Sequence, residues 1–433
     1  MNLEYFIARK VAVAGKQSFS RLIIRIAIVA IALSVTVMIV ATALITGFKN
    51  QISSKIFGFW GHIHIMSSKV NQTFEAAPIS IKQDFYPHID TISSVRYPGN
   101  YSFLGYEFED YVVEKRSKGG VSHIQAFAHM PGIIKTKKEI EGIILKGIGK
   151  DYKWENLQNY LIEGDFIPLK DSLASRKIII SEQTANRLNV KLEDKFIVHF
   201  VNEGEQLRRR FEVGGIYKTG LEEYDRKFAL VDIRQIQQLL DWDETEVGGF
   251  EVFIDNIDDL DPLNEHIYIE EIPNDMYSQT IRDKFPSIFE WLALQDINEV
   301  VIMGLMLIVS IINMVTALMI LILERTNMIG VLKALGQTNW GVRKIFLYHA
   351  GYIICIGLLI GNLVGLLLCY LQQRFQIIRL SEADYYLSVA PIEINFWTIL
   401  MLNLGTLVIT ILFLIIPSYL VTQITPVKAM RFK

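Results

Sequence analysis

The chain reads as an α-helical membrane protein: four transmembrane helices plus a large mixed α+β extracytoplasmic domain inserted between helices 1 and 2. Three observations lead there. Four long stretches hold no Asp, Glu, Lys or Arg. Charge is spread very unevenly over the segments those stretches divide. The longest of those segments alternates strand and helix signals.

The uncharged stretches are residues 26–48, 300–323, 345–373 and 394–427. Each exceeds the roughly 20 residues a helix needs to cross about 30 Å of hydrocarbon. A helix buried in a soluble core rarely runs so far without a charge. Arg9, Lys10, Lys16, Arg21 and Arg25 precede the first stretch, as they would in a signal peptide. Its apolar run, 26–45, is long for such a peptide, and no A-x-A-type cleavage site follows. It reads as an uncleaved signal anchor.

Orientation follows from the flanking basic residues. Residues 1–47 carry a net charge of +4, residues 324–347 and 421–433 carry +3 each, and residues 372–395 carry −1, which leaves −12 for residues 48–299. Both termini and the loop after the second span are therefore assigned to the cytoplasm. The expected division is an interfacial segment at 1–20, spans at 21–47, 299–323, 348–371 and 396–420, a domain at 48–298, a cytoplasmic loop at 324–347, an outer loop at 372–395 and a tail at 421–433. Cys355 and Cys369 lie on one helix, too far apart to bridge. The exported domain has no cysteine and must rest on its core, which about 250 residues supply.

Leu3, Phe6, Ile7, Val11 and Ala14 fall at helical spacing among basic residues, as in a helix lying on the membrane face or in an ordinary cytosolic helix end. In the domain, Lys177 to Ile180, 196–200, 211–217, 228–231 and 250–254 are β-rich runs, with a polar turn at Glu203-Gly204-Glu205. Helices are expected from Ser181, over 233–240, and after a turn at 255–259. In the third span Gly357, Gly361 and Gly365 recur every fourth residue, the spacing that brings two backbones close. Ser310, Asn313 and Thr316 share a stripe of the second span suited to cross-helix hydrogen bonds, and Pro417 is expected to bend the fourth.

Catalytic signatures are missing. Gly147-Ile148-Gly149-Lys150-Asp151 lacks both the spacing and the hydroxyl residue of a P-loop, and C-x-x-C, H-E-x-x-H and G-x-S-x-G do not occur. The chain is thus expected not to be an enzyme. His62 and His64 would share a face in a strand, but no third ligand accompanies them, and alternation with Ile63 and Ile65 is ordinary for a half-buried strand. No metal is assigned. Glu222-Glu223 and Asp258-Asp259 read as solvated surface.

The loop at 324–347 is short, helical in character and joined to a span at each end, with Ile329, Leu332, Lys333 and Gly336 on one face. Such a stiff piece suits the relay of force from a soluble partner; it equally suits a surface connector without one. Residues Ile329, Gly330, Val331, Leu332, Lys333, Ala334, Leu335 and Gly336 resemble the coupling helix of ABC-type permeases grouped with the cell-division and macrolide-exporter permeases, although Met328 stands where that pattern has an acidic residue. Further stretches resemble the lipoprotein-releasing (Lol) permeases over nearly the whole chain. They are Phe6-Ile7-Ala8-Arg9, Thr46-Gly47-Phe48, Gly61-His62, Gly214 to Leu221 with Glu223-Tyr224-Asp225, Tyr385-Tyr386-Leu387, Pro391-Ile392 and Pro426 to Arg431.

That resemblance implies a permease subunit of the bacterial inner membrane that releases acylated lipoproteins. A cytoplasmic ABC ATPase dimer would carry ATP and Mg, and this chain would bind no cofactor. A second permease copy or paralogue is implied as partner; no nucleic acid is expected. Ile329, Gly330, Leu332, Lys333, Leu335 and Gly336 would couple to the ATPase, Gly357, Gly361, Gly365 and Asn313 would pack helices, and Ile31, Val35, Ile39, Met306 and Val309 would wall a lipid cavity. One of the two usual permeases docks a periplasmic carrier protein with a proline-containing hairpin; the turn at 201–210 here is short and has no proline. The chain then matches the partner without that hook, or docks a carrier differently. Within the superfamily the alternatives are drug or peptide export and activation of a cell-wall hydrolase; outside it, a membrane-anchored binding module without transport.

Overall fold

The computed structural model describes residues 19–69, 77–103, 106–135, 139–171, 173–202 and 204–425. The expected interfacial segment, the Phe6–Arg9 opening and the Pro426–Arg431 close lie outside these residues. The chain divides into two compact units: Met1–Gln51, Glu290–Arg379 and Val389–Lys433 form the first, and Ile52–Phe289 with Leu380–Ser388 the second.

Among the described residues, six helices belong wholly or partly to the first unit: α1 (Phe19–Trp60), α2 (Pro286–Glu324), α3 (Thr326–Ala334), α4 (Asn339–Phe375), α5 (Phe396–Ser418) and α6 (Leu420–Gln423). Four stretches among them are long and apolar enough to cross a membrane: Leu22–Trp60, Pro286–Glu324, Asn339–Phe375 and Phe396–Gln423. The first two helices outrun their uncharged stretches. α1 continues through Lys49 and Lys55 because Ile52, Ile56 and Phe59 keep one face buried. α2 starts early at Pro286, whose fixed φ and missing N–H suit a first helical position.

The glycines of α4 receive α1. A Cβ at Gly357 would stand 2.7 Å from Ile31, one at Gly361 2.8 Å from Ala32 and Val35, and one at Gly365 3.3 Å from Ile39. Thr36 Oγ1 donates to Gly361 O at 3.1 Å. The polar stripe of α2 behaves differently from expectation. Asn313 Nδ2 and Thr316 Oγ1 bond their own helix, at Val309 O and Ile312 O, with Asn313 half-buried and Thr316 exposed. The cross-helix polar pair is instead Asn362 with Asn403, joined by reciprocal bonds of 2.6 and 2.9 Å between α4 and α5. α5 ends at Ser418, one residue past Pro417, which supplies no backbone N–H to the helix.

Among the described residues the second unit carries fourteen strands: β1 (Ile63–Ser67), β2 (Ile79–Ser80), β3 (Arg96–Phe103), β4 (Tyr106–Arg116), β5 (Val121–Lys135), β6 (Ile140–Ile148), β7 (Leu161–Gly164), β8 (Lys177–Ser181), β9 (Lys195–Asn202), β10 (Glu205–Tyr217), β11 (Phe228–Asp232), β12 (Glu246–Val247), β13 (Gly249–Ile254) and β14 (Met276–Thr280). The β-rich runs read from the sequence are β8 to β11 and β13, and the helices expected after them are Glu182–Leu188, Ile233–Leu240 and Leu260–His266. Ser181 caps the first of these, its hydroxyl accepting from Thr184 N.

Six strands close on themselves. β5 pairs β6, β6 pairs β11, β11 pairs β8, β8 pairs β10, β10 pairs β9, and β9 returns to the far end of β5. Closure leaves no open edge among them. It depends on Gly132 in β5, where a Cβ would stand 2.7–2.9 Å from Phe200 and Val198 of β9. From the near end of β5 the sheet runs on through β13, β1 and β14. β9 and β10 extend further than their apolar runs, pairing up to Asn202 and Glu205, with Gly204 at φ +86. Asp259 is not solvated surface: it is 3% exposed and accepts from the backbone N–H groups of Lys118 and Gly119.

Candidate functional site

The segment expected to relay force is α3 with the turns at its ends. It leaves α2 at Arg325 after a single break and runs nine residues. Its C-terminus is fixed by Gly336 at φ +88: Gly336 N donates to Lys333 O and Gln337 N to Leu332 O, the paired bonds of a Schellman motif. Only Leu335, Gly336 and Gln337 separate this end from Thr338, whose hydroxyl accepts from Gly341 N and caps α4. The backbone of the turn is thus hydrogen-bonded on both sides, to α3 and to α4.

The two faces of α3 divide the residues assigned to it. Ile329 and Gly330 are buried, and Met328 and Leu332 pack on the core of the first unit. Lys333 also turns inward: Nζ donates to Val421 O and Ile424 O at 2.7 Å and to Thr422 O at 3.4 Å. An ammonium there neutralises the carbonyls that end α6. Facing outward are Val331, 51% exposed, and Leu335, 79% exposed, with Trp340 at the start of α4. Of the six expected coupling residues, Leu335 and Gly336 face outward; Val331 and Trp340, exposed beside them, were not among the six. They share no short motif; what places them is the turn at Gly336. Arg343 adds a second hold on the fourth helix, donating to Ser418 Oγ and Ile415 O beside Pro417.

The residues expected to wall a lipid cavity separate as well. Ile31, Val35 and Ile39 fill the groove over the α4 glycines and are at most 1% exposed, because those glycines leave room only for their side chains. Met306 is partly buried on the same core, and Val309 is exposed on α2. The outward face of α1 is Leu22, Ile26, Val29 and Leu33 instead.

In the second unit, the end of α1 sits on a buried ionic cluster that no sequence pattern announced. Register aligns His64 of β1, Glu251 of β13 and Gln125 of β5 in one row, and His129 of β5 with Lys146 of β6 further along β5, past the row of Phe127. Lys146 Nζ lies 2.6 Å from Glu251 Oε1 with both side chains at 0% exposure, and it also donates to Phe59 O. Gln125 Nε2 donates to the other carboxylate oxygen at 2.8 Å. His64 Nε2 meets Trp60 O at 2.5 Å, and a carbonyl only accepts, so Nδ1 is left to accept from Lys284 Nζ at 3.0 Å. Lys284 also lies over the Trp60 ring, 4.5 Å from its centroid.

Burial pushes His64 and His129 well below the usual histidine range, with neighbouring ammonium groups adding to it. Burial likewise pulls Lys284 down to about 7 and lowers Lys146, opposed in both by Glu251. His62 lies outside the strand, stacked on Phe57 with centroids 4.2 Å apart, and its Nδ1 accepts from Ile254 N. The two histidines thus serve different neighbours. β1 is buried on both faces rather than one, and no cluster of three metal-ligand side chains occurs among the described residues.

Comparison with known proteins agrees with this architecture. Residues 26–267 match the MacB-like periplasmic core domain, and residues 300–426 match the FtsX-like permease C-terminal family. The "Lipoprotein-releasing system transmembrane protein LolC" of Xylella fastidiosa is 22% identical over 100% of this chain and 98% of its own length. The LolC protein of Buchnera aphidicola subsp. Schizaphis graminum is 23% identical over 94% of this chain and 93% of its own. The LolE protein of Haemophilus influenzae is 22% identical over 99% of each. The chain belongs to the MacB-like periplasmic core domain family, completed by an FtsX-like permease C-terminal part.

Proposed function

We propose that the chain is the permease subunit of an ATP-driven transporter that lifts acylated proteins out of the bacterial inner membrane, with a separate subunit hydrolysing ATP. The observation that carries this reading is the match along the entire chain to transmembrane proteins named for a lipoprotein-releasing system. The capped geometry of α3 supports it. An ATPase pressing on Val331, Leu335 and Trp340 from the cytoplasm delivers its stroke to α2 and α4, because the three-residue turn around Gly336 is hydrogen-bonded to both helices. Lys333 and Arg343 pass the same stroke to the end of the fourth helix.

Energetics define the path of the cargo. Three acyl chains of roughly 40 methylenes, at about 0.8 kcal/mol each, would cost on the order of 30 kcal/mol to expose to water. The chains must therefore slide from lipid into an apolar cavity. In this chain its wall is the outward face of α2, with Leu305, Ile308, Val309 and Ile312, together with Val29 and Leu33 of α1. The exported domain, joined to both helices in the chain, then hands the protein on, to a second permease copy or a periplasmic carrier.

Depletion of the chain tests the reading. Acylated proteins are expected to accumulate in the inner membrane, and Val331→Pro, which breaks α3 at a cost of about 3 kcal/mol, is expected to reproduce the accumulation. Unchanged lipoproteins with new drug sensitivity or chained cells would assign the protein to export or to hydrolase activation. Purification in mild detergent with no ATPase attached would leave a binding module without transport.

A further inference from the structure

The segment between α4 and α5 does not stay with the helices that flank it. Leu380–Ser388 clusters with the strand-bearing unit. We propose that this segment is a strut, and that Lys55 and Lys218 are positioning residues that fix it to the exported domain, so that displacement of the third and fourth spans reaches the domain by this route as well as through α1 and α2. The inference rests on the transport reading above and adds a path of force to it.

The neck of the segment is stiff. Leu380 N donates to Ser388 O and Ala390 N to Ile378 O, with Arg379 and Val389 bridged between them. Gln372, buried in the last turns of α4, closes the neck: its Nε2 donates to Ala390 O at 3.0 Å and Ile378 O at 3.1 Å, and its Oε1 accepts from Ile378 N. These bonds tie residues 378 and 390 to the end of α4.

The tip is held just as specifically. Lys55, in the last turns of α1, donates to Tyr386 O at 2.9 Å. Lys218, at the exit of β10, lies 2.8 Å from Glu382 and 3.4 Å from Glu182. Beside them Gly220 takes φ +77, and a Cβ there would come within 3.2 Å of Tyr386 O and 2.8 Å of Lys55 Nζ, so only glycine lets the segment seat. Asp225 shapes this receiving loop, accepting from the N–H and hydroxyl of Thr219 and from Gly220 N. Two stretches that stand apart in the sequence, Gly214 to Leu221 and Tyr385 to Leu387, thus meet in space.

Their meeting is not explained by stability. The Lys218 and Glu382 side chains are 39% and 37% exposed, and exposed pairs contribute about 0–1 kcal/mol. A contact that is weak thermodynamically yet joins three separate segments in one place serves alignment.

The experiment uses the full chain with its ATPase in lipid vesicles and compares Lys218→Glu, Glu382→Lys and the two combined. Each single change is expected to lower acylated protein released per ATP by about fivefold or more, the low end of usual coupling between sites, with ATP hydrolysis and the unfolding temperature retained. The charge swap is expected to restore release. Single variants that release normally, or a swap that rescues nothing, overturn the strut. A cargo-independent arm separates failure of the strut from failure of the transport reading. With Cys355 and Cys369 replaced by Ser, spin labels at Ile378→Cys and Val201→Cys are expected to keep one fixed distance through the ATP cycle, and to lose it in Lys218→Glu. A distance that changes with ATP in the parent chain refutes the strut, whatever the cargo.

Discussion

Replacing Glu251 by Gln keeps the shape of the side chain and removes only its charge, which makes it a direct test of the cluster under α1. Glu251 is fully buried, receives Lys146 at 2.6 Å and Gln125 at 2.8 Å, and is 3.9 Å from His64. It also opposes the burial that lowers Lys284. After the change, Lys146 remains in the core beside Phe59 O with no carboxylate partner. Breaking a buried pair from one side costs about 3–5 kcal/mol. For a unit of this size each kcal/mol lowers the unfolding temperature by about 2–4 °C, so a fall of about 6–20 °C is expected. The assay is thermal unfolding of the full chain in detergent, followed through the near-ultraviolet signal of the aromatic residues, Trp60 being buried against the cluster. Glu251→Leu with Lys146→Met removes both charges and is expected to lose less than Glu251→Gln alone. A Glu251→Gln unfolding temperature within about 3 °C of the parent, near the 1 kcal/mol scale of a surface change, would show that the carboxylate does not hold Lys146 in place.

Two further outcomes follow from the same structure. Lys284, lowered to about 7 in the fold, is neutral above that value while the unfolded chain keeps its proton up to about 10.5, so the unfolded state binds more protons and stability should rise with pH between those limits. His64 and His129, held neutral, give the same sign below pH 6.5: acid should destabilise the second unit. Unfolding free energies measured from pH 5 to 9 check both, and Lys284→Met should flatten the upper part of the profile; an unchanged profile refutes the assignment. In the first unit, Gly361→Val places a Cβ 2.8 Å from Ala32 O and Val35 and should cost about 1–3 kcal/mol by overpacking, whereas Gly405→Val meets open space. Equal unfolding temperatures for the two variants would mean that the glycine stripe does not set the approach of α1.

The helices and the strand runs were legible because their signals are local. Absence of charge over more than twenty residues and runs rich in β-branched and aromatic residues at 178–180 and 250–254 need no partner to be read. The glycine spacing in α4 was legible for the same reason, being one stripe of one helix. Which residue pairs would meet was not. Asn313 satisfies itself on its own helix while Asn362 finds Asn403, and nothing in either local pattern distinguishes the two asparagines. Lys146 reads as one more surface lysine until β6 is set beside β5 and β13, which brings it to Glu251 more than a hundred residues away.

The sequence by itself therefore determined the four apolar helices, the strands of the domain between the first two, and the short helix at 326–334 with its closing glycine, since these depend on neighbours a few residues apart. Only the tertiary structure decided which side of that helix faces out, that six strands close at Gly132, that Ile31, Val35 and Ile39 are buried on glycine, and that the 380–388 segment joins the domain. Each of these depends on register and on room for a side chain between distant segments, and those quantities exist only once the segments are packed.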